Sequence, residues 1–209
     1  MLYDFPLLVG TAAAALHVIS GPDHLAAVTP YALEAKQRPW RIGLFWGIGH
    51  LAGMLLIGVA FLLFKTYIPV EKISEHSEKL VGFVLVGIGV FAIYKTINWV
   101  QHAHDHSPKE KHHSYSFGIG FLHGLAGVAH FILLLPVLGF ENRTQSILYI
   151  VGFGVGTVAA MALYTFILGK TSRFSYRKGT ASLAKGIRLT GGLFALVVGF
   201  YWIYLGFSA

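Results

Sequence analysis

The stretch "LHVISGPDHLAAVTP", Leu16 to Pro30, places His17, Asp23 and His24 inside an otherwise apolar run. Gly21-Pro22 separates the first histidine from the Asp-His pair. In a continuous helix, residues seven apart lie two turns apart on one face. Pro22 removes a backbone donor and clashes with the carbonyl four residues earlier. The residue before it, Gly21, is turned away from helical geometry. The stretch therefore predicts a helix broken at Gly21-Pro22, with Asp23 at the start of the second piece. A carboxylate there either caps the new helix, accepting orphan N–H groups, or acts as a hard anionic ligand.

The surroundings are those of a membrane. Of 209 residues, 55% are hydrophobic and only 12% charged, about half the charged share of a soluble domain. Mean hydropathy is +0.64. The 25 glycines suit helices that pack closely in lipid. Cysteine is absent, so a metal site must use His, Asp, Glu or backbone oxygen. The net charge of +7 sits in short loops between apolar runs, a topology signal and not a nucleic-acid surface. The start "MLYDFPLL" lacks a basic region before its apolar run, so the first segment is expected to be retained.

Six runs approach the ~20 apolar residues a span needs: Phe5–Leu33, Ile42–Phe64, Leu80–Tyr94 extended toward Val100, Phe117–Phe140, Ile147–Leu168 and Leu189–Phe207. They are too long and too little alternating for barrel strands, so the fold class is an all-α membrane protein. Lys36, Arg38 and Arg41, then Lys95, Lys109 and Lys111, then Lys170, Arg173, Arg177, Lys178, Lys185 and Arg188 follow the first, third and fifth runs. The other side holds Lys65, Lys72, Lys79 and Arg143. The positive-inside rule puts the richer side in the cytoplasm and both termini outside. The expected location is the plasma or inner membrane, with the chain as a multi-pass protein.

The opening stretch recurs without gaps as "LHGLAGVAHFILLLP", Leu122 to Pro136, pairing His17 with His123 and His24 with His130. "FWGIGHLAGM" (Phe45 to Met54) lies over "GFGVGTVAAM" (Gly152 to Met161), with His50 opposite Thr157. Gly82, Gly89, Ile93 and Tyr94 pair with Gly192, Gly199, Ile203 and Tyr204. The chain divides into a first three-helix repeat (1–100), a His-rich cytoplasmic loop (101–115) and a second repeat (116–209). An odd number of spans per repeat inverts the second half. Inverted repeats with a broken helix place a transporter's substrate near the midplane; the alternative is a chance likeness of two His-bearing helices.

His17, His24, His50, His123 and His130 all fall in spans or at their ends, with Asp23 the single carboxylate deep in a span. An intramembrane charge is costly and usually faces a pathway with a partner. Each histidine alone has an ordinary packing explanation; five, in repeat-related pairs, favour a shared site. Imidazoles with one carboxylate suit Ni²⁺, Co²⁺ or Zn²⁺, whereas Mg²⁺ or Ca²⁺ wants more oxygen. A His/Asp proton relay is the other option. The loop "QHAHDHSPKEKHH" adds His102, His104, His106, His112 and His113, a metal-binding composition or a plain polar linker. The spacings Gly43/Gly47, Gly49/Gly53, Gly120/Gly124 and Gly152/Gly156 are read as packing.

"HVISGPDHLAAV" resembles the signature helix of the nickel/cobalt transporter superfamily, where a His precedes an Asp-His pair. It looks closest to the short, urease-accessory-like branch with its Gly-Pro-Asp-His-Leu core, here Gly21 to Leu25. "GLFWGIGHLAG", Gly43 to Gly53, is similar to that family's next helix. The resemblance implies transport of Ni²⁺ or Co²⁺, with metal recognition carried onto His17, Asp23, His24 and His50. The chain departs from the larger permeases in having five residues, not four, between His17 and Asp23, and six spans in place of eight.

The expected function is membrane transport of a divalent transition metal, without a prosthetic group and without enzymatic activity. No His-Glu-x-x-His pattern supports a metal hydrolase. The alternatives are a membrane-anchored metal sensor or accessory protein acting through its His loop, and a proton-coupled exporter of another small ion. The expected partners are the metal and the bilayer, with a second copy of the chain allowed and nucleic acid excluded.

Overall fold

The structure, a computed structural model, describes residues 5–35, 37–64, 70–98, 111–126, 137, 139, 140, 142–177 and 181–208. These residues form seven α-helices: α1 (Pro6–Ser20), α2 (Pro22–Glu34), α3 (Trp40–Phe64), α4 (Val70–Ile97), α5 (Lys111–Ala126), α6 (Arg143–Arg177) and α7 (Ala181–Ser208).

The break falls where the covalent geometry demanded it. Gly21 is extended, at φ −89° and ψ 95°, and serves as C-cap of α1 and N-cap of α2. Its N–H still reaches the His17 carbonyl at 2.9 Å, so α1 ends satisfied. Pro22 then occupies the first helical position, where its missing N–H costs nothing. The first expected span is thus two helices. The 15 residues of α1 reach about 22 Å, short of a ~30 Å hydrocarbon core. The helix alone is therefore too short, and Phe5–Leu33 is not one continuous spanning helix.

Among the described residues four helices are long and apolar enough to cross a membrane, over Trp40–Ala60, Lys79–Ile97, Arg143–Phe174 and Lys185–Ser208. They match the expected second, third, fifth and sixth runs. Of these helices α4 continues furthest beyond its apolar stretch, starting at Val70, because a helix keeps its backbone hydrogen bonds through polar sequence that hydropathy does not register. Of the fourth run, α5 is described to Ala126. That helix is described from Lys111, so residues 111–115, assigned above to the loop, are helical.

Burial is inverted relative to a soluble domain. Leu56, Phe83, Phe200 and Tyr204 are more than half exposed, while Asp23, His24 and His50 are buried. Lipid replaces water at the rim, so apolar side chains remain outside and polar ones must find partners within. Trp46, Leu85, Met161, Val18 and Ala26 contribute to the core.

Small residues set the helix spacing. A Cβ on Gly49 or Gly120 would strike the Phe117 or Trp46 carbonyl, so α3 and α5 touch backbone to backbone. Gly152 and Gly156 bring α6 equally close to Leu7 and Thr11 of α1. α4 and α7 meet through Gly82 against Gly199 and Gly89 against Gly192. The glycine spacings seen in the sequence are these contacts.

α2 is tied down along its length. The Thr29 and Tyr164 hydroxyls share a hydrogen bond at 2.7 Å, and Ser172 Oγ donates to the Leu33 carbonyl at 2.7 Å. At its end Lys95 Nζ pairs with Glu34 at 2.6 Å.

Candidate metal centre

Four helices deliver the polar groups. His17 lies in the last turn of α1, just before the break at Gly21. Asp23 and His24 occupy the first turn of α2. His50 comes from the middle of α3 and His123 from the last turn of α5.

Asp23 does not cap α2: that helix has no side-chain cap hydrogen bond. Its Oδ1 lies 3.0 Å from His24 Nδ1 and its Oδ2 lies 2.9 Å from His123 Nε2. An ionised carboxylate only accepts, so both rings donate, and one acid is held by its neighbour His24 and by His123, a hundred residues further along the chain. Three buried polar groups so joined offset the cost of removing each from water.

Gly21 makes room for this. A Cβ there would stand 2.5 Å from His24 Nδ1 and 3.1 Å from Asp23 Oδ1. The residue that breaks the helix is also the one that lets the site close.

His24 is the hub. Its ring centroid lies 4.5 Å from that of His17, 4.8 Å from His123 and 5.1 Å from His50. His24 and His50 are fully buried, Asp23 and His123 almost so, and His17 is half-buried. Among the described residues two donor sets follow, each with its ligand atoms within 4.8 Å of one another: His17, His24 and His50, and Asp23, His24 and His123. Bonds of ~2.0–2.1 Å to a four-coordinate ion place ligand atoms roughly 3.3 Å apart.

The sequence named these five residues, and the fold brings all five together. His130, His102, His104 and His106 lie outside the described residues, as do the side chains of His112 and His113. One participant escaped notice. Trp46 stacks on His50 with centroids 4.9 Å apart and planes 11° off parallel, and stands 5.4 Å from His24. It is fully buried, and its Nε1 has no hydrogen-bond partner among the described residues. The available signal was spacing: four residues before His50 is the same helix face.

Residues 25–201 match the family described as cytochrome c biogenesis protein transmembrane region. The chain is 35% identical over 198 residues to urease accessory protein UreH of Bacillus sp. (strain TB-90), covering 88% of this chain and 84% of that one. It is 30% identical over 213 residues to chloroplast protein FOR GROWTH AND FERTILITY 2 of Arabidopsis thaliana, covering 95% of this chain and 57% of the relative. For FOR GROWTH AND FERTILITY 1 of the same plant the identity is 33% over 180 residues, covering 78% and 49%. The chain thus spans about half the length of the two plant relatives. No solved structure gives a significant match. The resemblance to the short urease-accessory-like branch is borne out by the similarity to UreH, and the chain belongs to the family described as cytochrome c biogenesis protein transmembrane region.

Proposed function

We propose that the protein carries a divalent transition-metal cation, Ni²⁺ or Co²⁺ ahead of Zn²⁺, across the membrane through the site of His17, Asp23, His24, His50 and His123. One observation carries this reading: donors from four helices converge, buried, at a helix break. Broken helices at membrane depth are tolerated where they line a cavity or meet protein, and transporters place substrate there. Four imidazoles and one carboxylate favour late first-row metals. The relative UreH is named as a urease accessory protein, which agrees with the sequence resemblance to nickel/cobalt transporters.

Transport fits better than hydrolysis. A general base must point at the proton it removes, whereas both oxygens of Asp23 serve histidines. The sequence has no cysteine, so thiol chemistry is not open to it.

The architecture belongs to the same proposal: six spans in two inverted three-helix halves, with both termini outside. Reciprocal contacts support it. Gly47 meets Val158 while its counterpart Gly154 meets Leu51. Gly49 meets the Phe117 carbonyl while Gly156 meets that of Thr11. Gly82 meets Ile203 while Gly192 meets Ile93. A pseudo-twofold axis between the halves produces such pairs.

The test is metal accumulation in cells expressing wild type, Asp23→Ala, His24→Ala and His130→Ala. Loss of Ni²⁺ or Co²⁺ movement in the first two supports the site. Wild-type accumulation in all three overturns it. Glutamine replacement of the five loop histidines separates transport from sensing: a transporter keeps flux, a loop-based sensor loses function.

A further inference from the structure

The two donor sets share one residue, His24. They differ in charge: three neutral imidazoles on one side, and two imidazoles with a carboxylate on the other. Bound to a divalent cation, the first leaves a net charge of two and the second a net charge of one. In surroundings where lipid and packed helices replace water, that difference separates a shallow binding position from a deep one.

A neutral imidazole has one N–H and one lone pair. In the structure Nδ1 of His24 faces Asp23 Oδ1 at 3.0 Å, and an ionised carboxylate requires that nitrogen to be the donor. The lone pair then belongs to Nε2, on the far edge of the ring from Asp23. This is the arrangement in which a carboxylate behind a histidine fixes its tautomer and raises its basicity toward a metal. To ligate through Nδ1 instead, alongside Asp23 and His123, the ring must give up its Nδ1 proton and take one at Nε2. The net proton count does not change, but one nitrogen gains a lone pair as the other loses it.

We propose that the centre has two mutually exclusive metal positions that share His24. The first is an all-imidazole position made by His17, His24 Nε2 and His50. The second is a carboxylate position made by Asp23, His24 Nδ1 and His123. The metal-free tautomer is set for the first, where Asp23 acts as a positioning residue, and the ion reaches the second only when His24 changes tautomer and the two hydrogen bonds to Asp23 open. The cation is handed from one half of the molecule toward the other, since His50 lies on α3 and His123 on α5. The inference rests on the metal-binding reading above and adds the number, order and composition of the positions.

Equilibrium binding of Co²⁺ to the purified full-length chain in lipid nanodiscs tests it, with His102, His104, His106, His112 and His113 replaced by glutamine in every protein compared, the otherwise wild-type parent included, so that the loop takes no metal; stoichiometry is read by elemental analysis and ligand set by the visible Co²⁺ bands. Wild type is expected to bind one Co²⁺ per chain. Asp23→Asn keeps an acceptor for His24 Nδ1; it should still bind one Co²⁺ with unchanged band positions and an affinity lowered by about 10–100-fold. His50→Ala should also bind one Co²⁺, but with shifted bands from the oxygen-containing set. Asp23→Asn combined with His50→Ala should bind none, and neither should His24→Gln, whose folding is checked by monodisperse elution. Two Co²⁺ per wild-type chain overturns the exclusivity. Equal spectral shifts in the two single variants overturn the separate positions, leaving one common site. A wild type that binds no Co²⁺ overturns this inference and the metal reading together, whereas cellular accumulation with either other adverse result overturns this inference alone.

Discussion

His123 Nε2 stands 2.9 Å from Asp23 Oδ2, joining the last turn of α5 to the first turn of α2 across a hundred residues of chain. This bond makes the buried carboxylate a structural tie as well as a candidate ligand.

Asp23→Ala should therefore be felt twice. Both ring donors lose their acceptor in a buried site, at a cost of about 1–3 kcal/mol for each group left unsatisfied. Thermal unfolding followed by size-exclusion in detergent should shift downward, while Asp23→Asn, which retains an acceptor, should shift less. An unchanged midpoint in Asp23→Ala would show that the tie has no structural role.

Gly21→Ala should impair the site more than the fold. The new Cβ meets His24 Nδ1 at 2.5 Å and the Asp23 carboxylate at 3.1 Å, while the extended backbone at this position suits alanine. Metal accumulation should fall at least about tenfold with membrane levels near wild type. Wild-type accumulation would place the cation away from His24.

Gly49→Leu should act through assembly. Its Cβ would strike the Phe117 carbonyl and force α3 from α5, with overpacking costing about 1–3 kcal/mol or more. The reading is protein level and monodispersity in mild detergent, both expected to drop. The same substitution at Gly87, where an added Cβ meets nothing, should leave them unchanged.

Lys95→Ala should matter little. The Glu34–Lys95 pair is short, at 2.6 Å, but the lysine side chain is half exposed, and such pairs contribute about 0–1 kcal/mol. Flux and unfolding midpoint should stay near wild type. A large loss of flux with normal stability would instead identify this pair as a gate at the end of α2.

Trp46→Ala should weaken the imidazole position without removing a ligand. Trp46 stacks on His50 at 4.9 Å, and its loss leaves that ring unsupported in a cavity. Co²⁺ affinity should fall with the stoichiometry unchanged, and Trp46→Phe should recover most of it.

Much of this was readable along the chain because it is local. The break needs only Gly21 and Pro22, whose backbone restrictions travel with the residues. The apolar runs reveal themselves by length, and their agreement with α3, α4, α6 and α7 follows from lipid leaving helices as the economical backbone solution. The five histidines and aspartate were conspicuous because polar groups are scarce in such runs. Helix ends were less legible: α4 and α6 extend into polar sequence where no apolar signal marks them.

The sequence by itself determined the long apolar helices α3, α4, α6 and α7 and the break at Gly21-Pro22, since these follow from hydrophobicity over a few turns and from covalent geometry. It singled out His17, Asp23, His24, His50 and His123 as candidate donors by their scarcity among apolar neighbours. Only the tertiary structure decided that Asp23 binds His24 and His123 in place of capping α2, that His24 stands between two donor sets, and that Trp46 backs His50. Those relations depend on how closely glycine-lined helices approach and on which ring nitrogen faces which oxygen. They are distances between helices far apart in the chain, and no local pattern encodes them.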